Sequence, residues 1–112
     1  MKKVEAIIKH HQLDAVKIDL LAYGVSGMTI SEAQGFGRQK GHTELSSLSE
    51  YVADFHPKLR IEILCEDDQA EKIADVILKA AHTGKIGDGK IVIYDVGKVI
   101  RIRTGETGVD AI

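Results

Sequence analysis

The feature that most constrains the fold is an order of strand, helix and strand that occurs twice in 112 residues. Residues 3–9 and 59–65 alternate apolar and polar side chains, which predicts two half-buried strands. Apolar residues then recur at helical spacing over residues 13–20 and 70–81, which predicts an amphipathic helix after each strand. Two such units in one short chain predict a single domain with its helices packed on a sheet.

The ends of these elements carry their own signals. Gly24 is placed to end the first helix and Gly84 to end the second. Asp68, followed three residues later by Glu71, is typical of a capping box and predicts the start of the second helix. The closing strands of the two units are predicted over residues 28–34 and 91–102.

The resulting βαββαβ order is the ferredoxin-like α+β pattern, an antiparallel sheet with both helices on one face. A long junction between residues 36 and 57 joins the two halves. Loops longer than about 12–15 residues are uncommon in compact domains unless they are functional or disordered. If residues 38–55 fold back as an arm, the arm would reach about 30 Å, at roughly 3.3 Å per residue.

Composition limits the class of protein. Lys and Arg total 15 against 17 for Asp and Glu, and this balance argues against general nucleic-acid binding. Glu5 interrupts any apolar signal core, and no run of about 18 apolar residues is present, so we expect no membrane insertion. The lone Cys65 cannot form an intramolecular disulfide and suits a reducing interior. We therefore expect a cytoplasmic protein with local sites for small anions.

A glycine-rich loop, GKIGDGK at residues 84–90, is the clearest chemical signal. Glycines let main-chain N–H groups face a ligand and the lysines add positive charge, as binding a polyphosphate requires. The letters fit the start of a P-loop, but Ile91 stands where a P-loop NTPase needs a hydroxyl for magnesium. A helix also precedes the loop and a strand follows it, the reverse of the P-loop order. The loop is therefore predicted to be a phosphate cradle of another kind.

Arg101 and Arg103 form a second basic feature. Because they are two residues apart on a predicted strand, both side chains would project from one face about 7 Å apart, where they could grip successive phosphates. The alternative is a basic strand end exposed to solvent, and the two residues alone favour neither interpretation.

Three blocks together resemble the PII family of nitrogen-regulatory signalling proteins: GFGRQKGHTEL at residues 35–45, TGKIGDGK at 83–90 and RIRTGE at 101–106. The blocks occur in the family's order and spacing, and the resemblance covers the whole chain. It implies a homotrimer with ATP or ADP in each cleft between neighbouring subunits. The T-loop, B-loop and C-loop of the family would correspond to residues 37–55, 82–90 and 101–112.

The resemblance also implies ligand sites. Thr29, Gly35, Gly37 and Leu64 would enclose the nucleoside of ATP or ADP. The phosphates would be held by Arg38, Gly87, Asp88, Gly89, Lys90, Arg101 and Arg103, although Asp88 is also explained as a turn residue. The effector 2-oxoglutarate would lie beside magnesium-ATP at Gln39, Lys40, Gly41 and Lys58.

Two of these residues have a plain chemical rationale. Gln39 can offer a carbonyl oxygen to Mg²⁺ and an amide to the effector. Lys58 is a point charge suited to a dicarboxylate, and its alternative interpretation is an ordinary charge after Pro57. A ligand at the root of the arm would change the arm's conformation, so whatever the arm binds must change that ligand's affinity equally.

The predicted arm carries two candidate modification sites. Tyr51 matches the tyrosine that many family members present for uridylylation or adenylylation, unless it lies in a short hairpin with Ala53 and Phe55. Ser49 matches a serine phosphorylated in some relatives. Residues 46–49 read SSLS, where the family usually has Tyr-Arg-Gly followed by Ala or Ser. This departure removes an arginine used to engage targets.

The leading hypothesis is a non-enzymatic sensor of ATP, ADP and 2-oxoglutarate that regulates partner proteins through its arm. The resemblance implies an ammonium channel, a biosynthetic enzyme or a modifying enzyme as partners. One alternative is a PII-like relative whose arm serves another small effector or a dedicated partner. Another is an ATP-hydrolysing enzyme, since ferredoxin-like folds also host phosphoryl transfer. Against it, no His, Asp or Ser stands beside the glycine loop as an evident nucleophile.

Overall fold

In a computed structural model of the chain, which describes residues 1–36 and 55–112, the centre of the fold is the strand β1 (Lys2–Lys9). Val4, Ala6 and Ile8 of β1 are buried, and the side chains between them lie on the opposite face of the sheet. The predicted alternation is therefore confirmed. Strands on both sides of β1 pair with it in antiparallel register.

The remaining elements complete the predicted order. They are α1 (Leu13–Tyr23), β2 (Thr29–Gly35), β3 (His56–Cys65), α2 (Ala70–Ala81) and β4 (Lys90–Asp95). The sheet has the order β2-β3-β1-β4, and every neighbouring pair is antiparallel. This arrangement confirms the ferredoxin-like α+β fold predicted from the sequence.

One apolar core joins the sheet to both helices. It combines alternate residues of β1 and β3 with the inward faces of α1 and α2, and it includes the thiol of Cys65. Complete burial of a side chain such as Ile8, Leu20 or Ile77 contributes about 1.5–3 kcal/mol to stability. Because the core lies on one face, the other face of the sheet keeps charged residues such as Glu5 and Arg60, whose side chains approach to 3.8 Å.

The helix ends agree with the sequence signals in part. Gly24 ends α1 in the left-handed conformation with φ 111°, and its N–H donates to the carbonyl groups of Leu20 and Leu21, as predicted. The prediction of a capping box at Asp68 is wrong, because a 3-10 turn at Asp67–Gln69 precedes α2 and no side chain caps the helix. The end predicted at Gly84 is also wrong, since α2 stops at Ala81.

Within the described ranges, neither helix has the length and apolar character needed to cross a bilayer.

The fourth strand is shorter than predicted. It ends at Asp95, which pairs with Lys2, instead of continuing to about residue 102. One more hydrogen bond follows this last pair, from the N–H of Val96 to the carbonyl of Met1 at 3.1 Å. The chain then folds on itself, with a single bridge between Ile100 and Thr107.

The two strands flanking the predicted arm are paired to their ends. Gly35 at the end of β2 lies opposite His56 at the start of β3. The rings of Phe36 and Phe55 follow, with centroids 5.5 Å apart. Strand β3 therefore begins three residues before the alternation that predicted it, and the predicted reach of the arm concerns residues 37–54, outside the described ranges.

Candidate ligand-binding site

The glycine loop follows α2 and runs into β4 beside the end of β1. Gly89 has φ 98°, and a Cβ atom at this position would lie 1.7 Å from the carbonyl oxygen of Ile7. No side chain fits there, so this close approach of two main chains requires glycine. Gly84 and Gly87 also have positive φ, of 81° and 96°. The three glycines that suggested a cradle are thus the residues that allow the loop its path.

The carboxylate of Asp88 organises the inside of this loop. It accepts hydrogen bonds from the N–H groups of Thr83 and Gly84, both at 2.9 Å, and from the hydroxyl of Thr83. Lys9 Nζ lies 3.2 Å from the same carboxylate. The hydrogen bonds from Thr83 and Gly84 hold the pKa of Asp88 well below its usual range. Its oxygens face the loop itself, which agrees with the turn-residue interpretation.

Two lysines predicted to bind anions lie beside the loop. Lys58 of β3 donates from Nζ to the carbonyl of Gly87, and its stem passes 3.1 Å from the place of a Cβ atom on Gly35. Burial, reinforced by the neighbouring charge of Lys9, lowers the pKa of Lys58. Lys90 opens β4 as an exposed residue. Gly35, Lys58, Gly87 and Lys90 are therefore brought to one end of the sheet.

The residues predicted to enclose the nucleoside are divided. Thr29 at the start of β2 and Leu64 near the end of β3 both line a cavity of about 570 Å³. Val109 and Ile112 from the C-terminal residues line it as well. Gly35, the third described member of this group, lies at the other end of β2. Since Thr29 and Gly35 are six residues apart on one strand, roughly 20 Å separate them.

The geometry predicted for Arg101 and Arg103 is wrong. The two residues belong to a tight turn after the end of β4, in which the N–H of Gly105 donates to the carbonyl of Arg101 at 2.7 Å. Arg101 is half-buried; it reaches Glu106 Oε1 at 3.3 Å and donates to the main-chain oxygen of Ile112 at 3.0 Å. Arg103 is exposed on the turn. The pair therefore does not share the face of an extended strand, because β4 ends at Asp95 and residues 102–104 form a turn.

The site residues of one copy consequently form two groups. Gly35, Lys58, Gly87, Gly89 and Lys90 lie at the loop end of the sheet, named for the glycine loop. The second group comprises Thr29, Leu64, Arg101 and Arg103 and lies at the opposite end, called here the C-terminal end. Along β2, roughly 20 Å of strand separates the two groups within one copy.

Other predicted residues fall outside the described ranges. They are Gly37, Arg38, Gln39, Lys40, Gly41, Ser49 and Tyr51, so the predictions for the magnesium contact, most of the effector site and both modification sites stand as they were made. Within residues 1–36 and 55–112, no cluster of three or more His, Cys, Asp or Glu residues could hold a metal ion.

Sequence reasoning missed Lys9 and Thr83. Lys9 Nζ donates to Thr83 Oγ1 at 3.0 Å, and both side chains contact Asp88. Thr83 had a usable signal, because a hydroxyl directly before a glycine turn often bonds to the main chain of that turn. Lys9 had none, since only the register of β1 places it beside a loop about 80 residues later in the chain.

The chain is similar to a known protein family along most of its length. The family model described as Nitrogen regulatory protein P-II matches residues 1–106. A Nitrogen regulatory protein P-II from Rhizobium meliloti is 58% identical over 112 residues, covering 100% of both chains. Nitrogen regulatory protein P-II 1 from Escherichia coli is 57% identical over 106 residues, or 95% of each chain.

A solved structure agrees with these matches. The Arabidopsis thaliana PII protein, crystallised with citrate, superposes with a TM-score of 0.82 at 38% identity. The superposition covers 99% of this chain and 91% of the Arabidopsis chain. Sequence and fold therefore point to one family over the full length.

Proposed function

Because the chain belongs to the P-II family of nitrogen regulatory proteins, we propose that it is a sensor that binds ATP or ADP together with 2-oxoglutarate and regulates partner proteins. Its relatives are named as regulatory proteins, which supports a non-enzymatic role. In this proposal the chain acts in the cytoplasm as a homotrimer, and each nucleotide lies between two neighbouring copies.

The observation that carries the proposal is the division of the site. The loop end offers a glycine cradle with Lys58 and Lys90. The C-terminal end offers the exposed Arg103 and a cavity lined by Thr29 and Ile112. Roughly 20 Å of β2 separates the two ends in one copy. A nucleotide can contact both groups only if the loop end of one copy faces the C-terminal end of another. Closed rings of identical subunits bring unlike patches together in this way.

The loop end suits the phosphates. Positive φ at Gly84, Gly87 and Gly89 gives the loop the irregular path typical of anion-binding turns, and Lys90 adds an exposed ammonium group. Asp88 does not oppose an anion strongly, because Thr83, Gly84 and Lys9 already satisfy its carboxylate. In the proposal, magnesium reaches the site bound to ATP and is contacted by Gln39.

Lys58 suits the effector. Its ammonium group is partly desolvated and donates to a neutral carbonyl, so a carboxylate ligand in the same place would form an ion pair and be held more strongly. The Arabidopsis relative was crystallised with citrate, another small carboxylate, which supports this class of ligand. Gln39, Lys40 and Gly41 would complete the site from the root of the arm.

The arm is the proposed output. Occupation of the effector site next to Lys58 would shift the conformation of residues 37–54, and partner binding would in turn change effector affinity by the same factor. Modification of Tyr51 or Ser49 would act on the same segment. The SSLS sequence at residues 46–49 favours a partner that does not require the arginine usual there. An ammonium channel, a biosynthetic enzyme and a modifying enzyme remain the proposed partner classes.

A mixing experiment tests the shared site. Lys90→Ala disables the loop end and Arg103→Ala disables the C-terminal end, so each homotrimer should bind ATP weakly by calorimetry. Co-refolding the two variants should restore part of the high-affinity binding, because some interfaces then pair two intact ends. A mixture that binds no better than either variant would contradict the shared site, provided that native mass spectrometry detects mixed trimers.

A further inference from the structure

Two lysines lie directly opposite each other at the loop end of the sheet. Lys9 of β1 and Lys58 of β3 are cross-strand partners. A Cβ atom on Gly87 would lie 3.1 Å from Lys58 Nζ and 3.4 Å from Lys9 Cε, so both side chains pass under the same point of the loop. Like charges in this position repel each other and destabilise a sheet. We therefore compare the partners of the two ammonium groups.

The two ammonium groups have different partners. Lys9 Nζ lies 3.2 Å from Asp88 Oδ1 and donates to Thr83 Oγ1 at 3.0 Å, and its side chain is only 16% exposed. Lys58 Nζ donates to the neutral carbonyl of Gly87. Lys9 therefore forms the ion pair with Asp88, and within the described ranges no other carboxylate at this end pairs with a lysine.

Electrostatics around Lys58 reflect this division. Burial and the charge of Lys9 lower the pKa of Lys58, while Asp88 acts in the opposite direction as the weakest of the three effects. Asp88 is therefore near enough to influence Lys58. Its carboxylate would become the natural partner of Lys58 if Lys9 did not hold it.

We propose that Lys9 is a positioning residue, which holds Asp88 inside the glycine loop and thereby keeps Lys58 available for the carboxylate of a ligand. The inference rests on the proposed binding of 2-oxoglutarate. If Lys58 were already paired with Asp88, it would gain little from the carboxylate of a ligand. When Lys58 is bonded only to a carbonyl, it gains an ion pair with the ligand, because a carboxylate replaces a neutral acceptor with a charged one.

The test is a cycle of variants measured by calorimetry with 2-oxoglutarate at saturating magnesium-ATP. Lys9→Met should weaken 2-oxoglutarate binding by about tenfold, because the released Asp88 carboxylate then pairs with Lys58. Adding Asp88→Asn to Lys9→Met should recover most of that loss. Lys9→Arg, which keeps a cation beside Asp88, should stay close to the unsubstituted protein. Lys17→Met, on the exposed side of α1, makes the same change in net charge and serves as the control.

A second measurement needs no ligand. In protein labelled at the lysine side chains, NMR titration should find that Asp88→Asn lowers the pKa of Lys58 more in the Lys9→Met protein than in the unsubstituted protein. An equal effect in both proteins would overturn the inference, because removal of the Lys9 charge alone raises the pKa of Lys58. If Lys9→Met fails to fold, Lys9→Gln removes the same cation and gives the same comparison, whereas Lys9→Arg keeps the cation and should leave the pKa of Lys58 near its original value. A pKa of Lys58 that is unchanged or lower in Lys9→Met would overturn the inference, whatever happens to binding.

The binding outcomes separate the remaining explanations. If the double variant binds 2-oxoglutarate more weakly than Lys9→Met, then Lys9 acts through loop geometry and the inference is wrong. If the unsubstituted protein binds ATP but no 2-oxoglutarate, the proposed function fails and the receptor role of Lys58 fails with it. The titration of Lys58 would then still report whether Lys9 holds Asp88.

Discussion

The loop end and the C-terminal end of the sheet both carry basic residues, but they are built differently. At the loop end, Asp88, Thr83 and Lys9 fix the glycine loop through contacts that come from β1 and from the loop itself. At the C-terminal end, Arg101 is bonded to Glu106 and to Ile112, while Arg103 is exposed on a turn. The loop end is thus organised by contacts within one copy, whereas the C-terminal end leaves the side chain of Arg103 exposed.

This difference teaches where substitutions should affect folding and where they should affect binding. Contacts internal to the loop end contribute to stability, so their loss should be detected in unfolding experiments. An exposed arginine contributes little to stability and should matter only when a ligand is present. Four substitutions, two at each end, test this division.

The largest expected effect belongs to the loop end. Gly89→Ala should lower the free energy of unfolding by about 3 kcal/mol or more, because the added Cβ meets the carbonyl of Ile7 at 1.7 Å and φ is positive. Gly97→Ala is the matched control, since no atom lies within 4 Å of its added Cβ. Urea unfolding measures both. A Gly89→Ala protein as stable as Gly97→Ala would mean that the loop is not fixed against β1.

At the C-terminal end, Arg103→Ala should spare stability and reduce nucleotide affinity. Loss of one charge-assisted hydrogen bond costs about 1.5–3 kcal/mol, so ATP should bind at least about tenfold more weakly. Calorimetry measures the affinity and urea unfolding the stability. Unchanged ATP affinity would remove Arg103 from the site, and a large loss of stability would contradict the division between the two ends.

The third substitution returns to the loop end and adds pH. The pKa of Asp88 is lower in the folded protein than in the unfolded chain, so its ionised form stabilises the fold at neutral pH. Asp88→Asn should therefore lower stability at pH 7, by less than Gly89→Ala. The difference from the unsubstituted protein should shrink as the pH falls below about 4, where carboxyl groups of the unfolded chain take up protons.

Urea midpoints between pH 3 and pH 7 measure this dependence. Asp19→Asn, an exposed aspartate of α1, controls for the change in net charge. A stability difference that stays constant across this range would mean that the ionised carboxylate of Asp88 does not stabilise the loop, and the assignment of its hydrogen bonds would be wrong.

Local patterns predicted most of the fold. Alternation in β1 and β3 and the apolar stripe of α2 depend on neighbours in the chain, and the structure confirms them. The capping box failed because the 3-10 turn at Asp67–Gln69 moved the helix start. The fourth strand was predicted too long because its end depends on where β1 begins, and a single strand does not carry that information.

In the candidate site too, features set by neighbouring residues were predictable and features set by distant residues were not. The glycines of the loop were predictable, because positive φ and close approach leave a local mark in the sequence. The contact between Lys9 and Asp88 was not, since it requires the register of two strands and the path of the loop. The separation of Thr29 from Gly35 was not predicted, because the predicted strand ended at Gln34 and both residues were assigned to one nucleoside enclosure; in the structure β2 runs from Thr29 to Gly35.

The smallest expected effect concerns Glu106, which competes with a ligand for Arg101. The two side chains lie 3.3 Å apart and both are partly exposed, and exposed ion pairs contribute at most about 1 kcal/mol. Glu106→Gln should therefore tighten ATP binding by no more than about fivefold. The reason is that Arg101 must break a weaker contact, with a neutral amide instead of a carboxylate, before it binds phosphate.

Asp14→Asn, at an exposed position near the start of α1, makes the same charge change away from this end and should leave ATP affinity as it is. Calorimetry at low and high salt measures the effect, and the gain should decrease as salt screens the ion pair. Weaker ATP binding by Glu106→Gln would show instead that Glu106 holds Arg101 in the geometry that binds ATP. The C-terminal end would then be organised within one copy, as the loop end is.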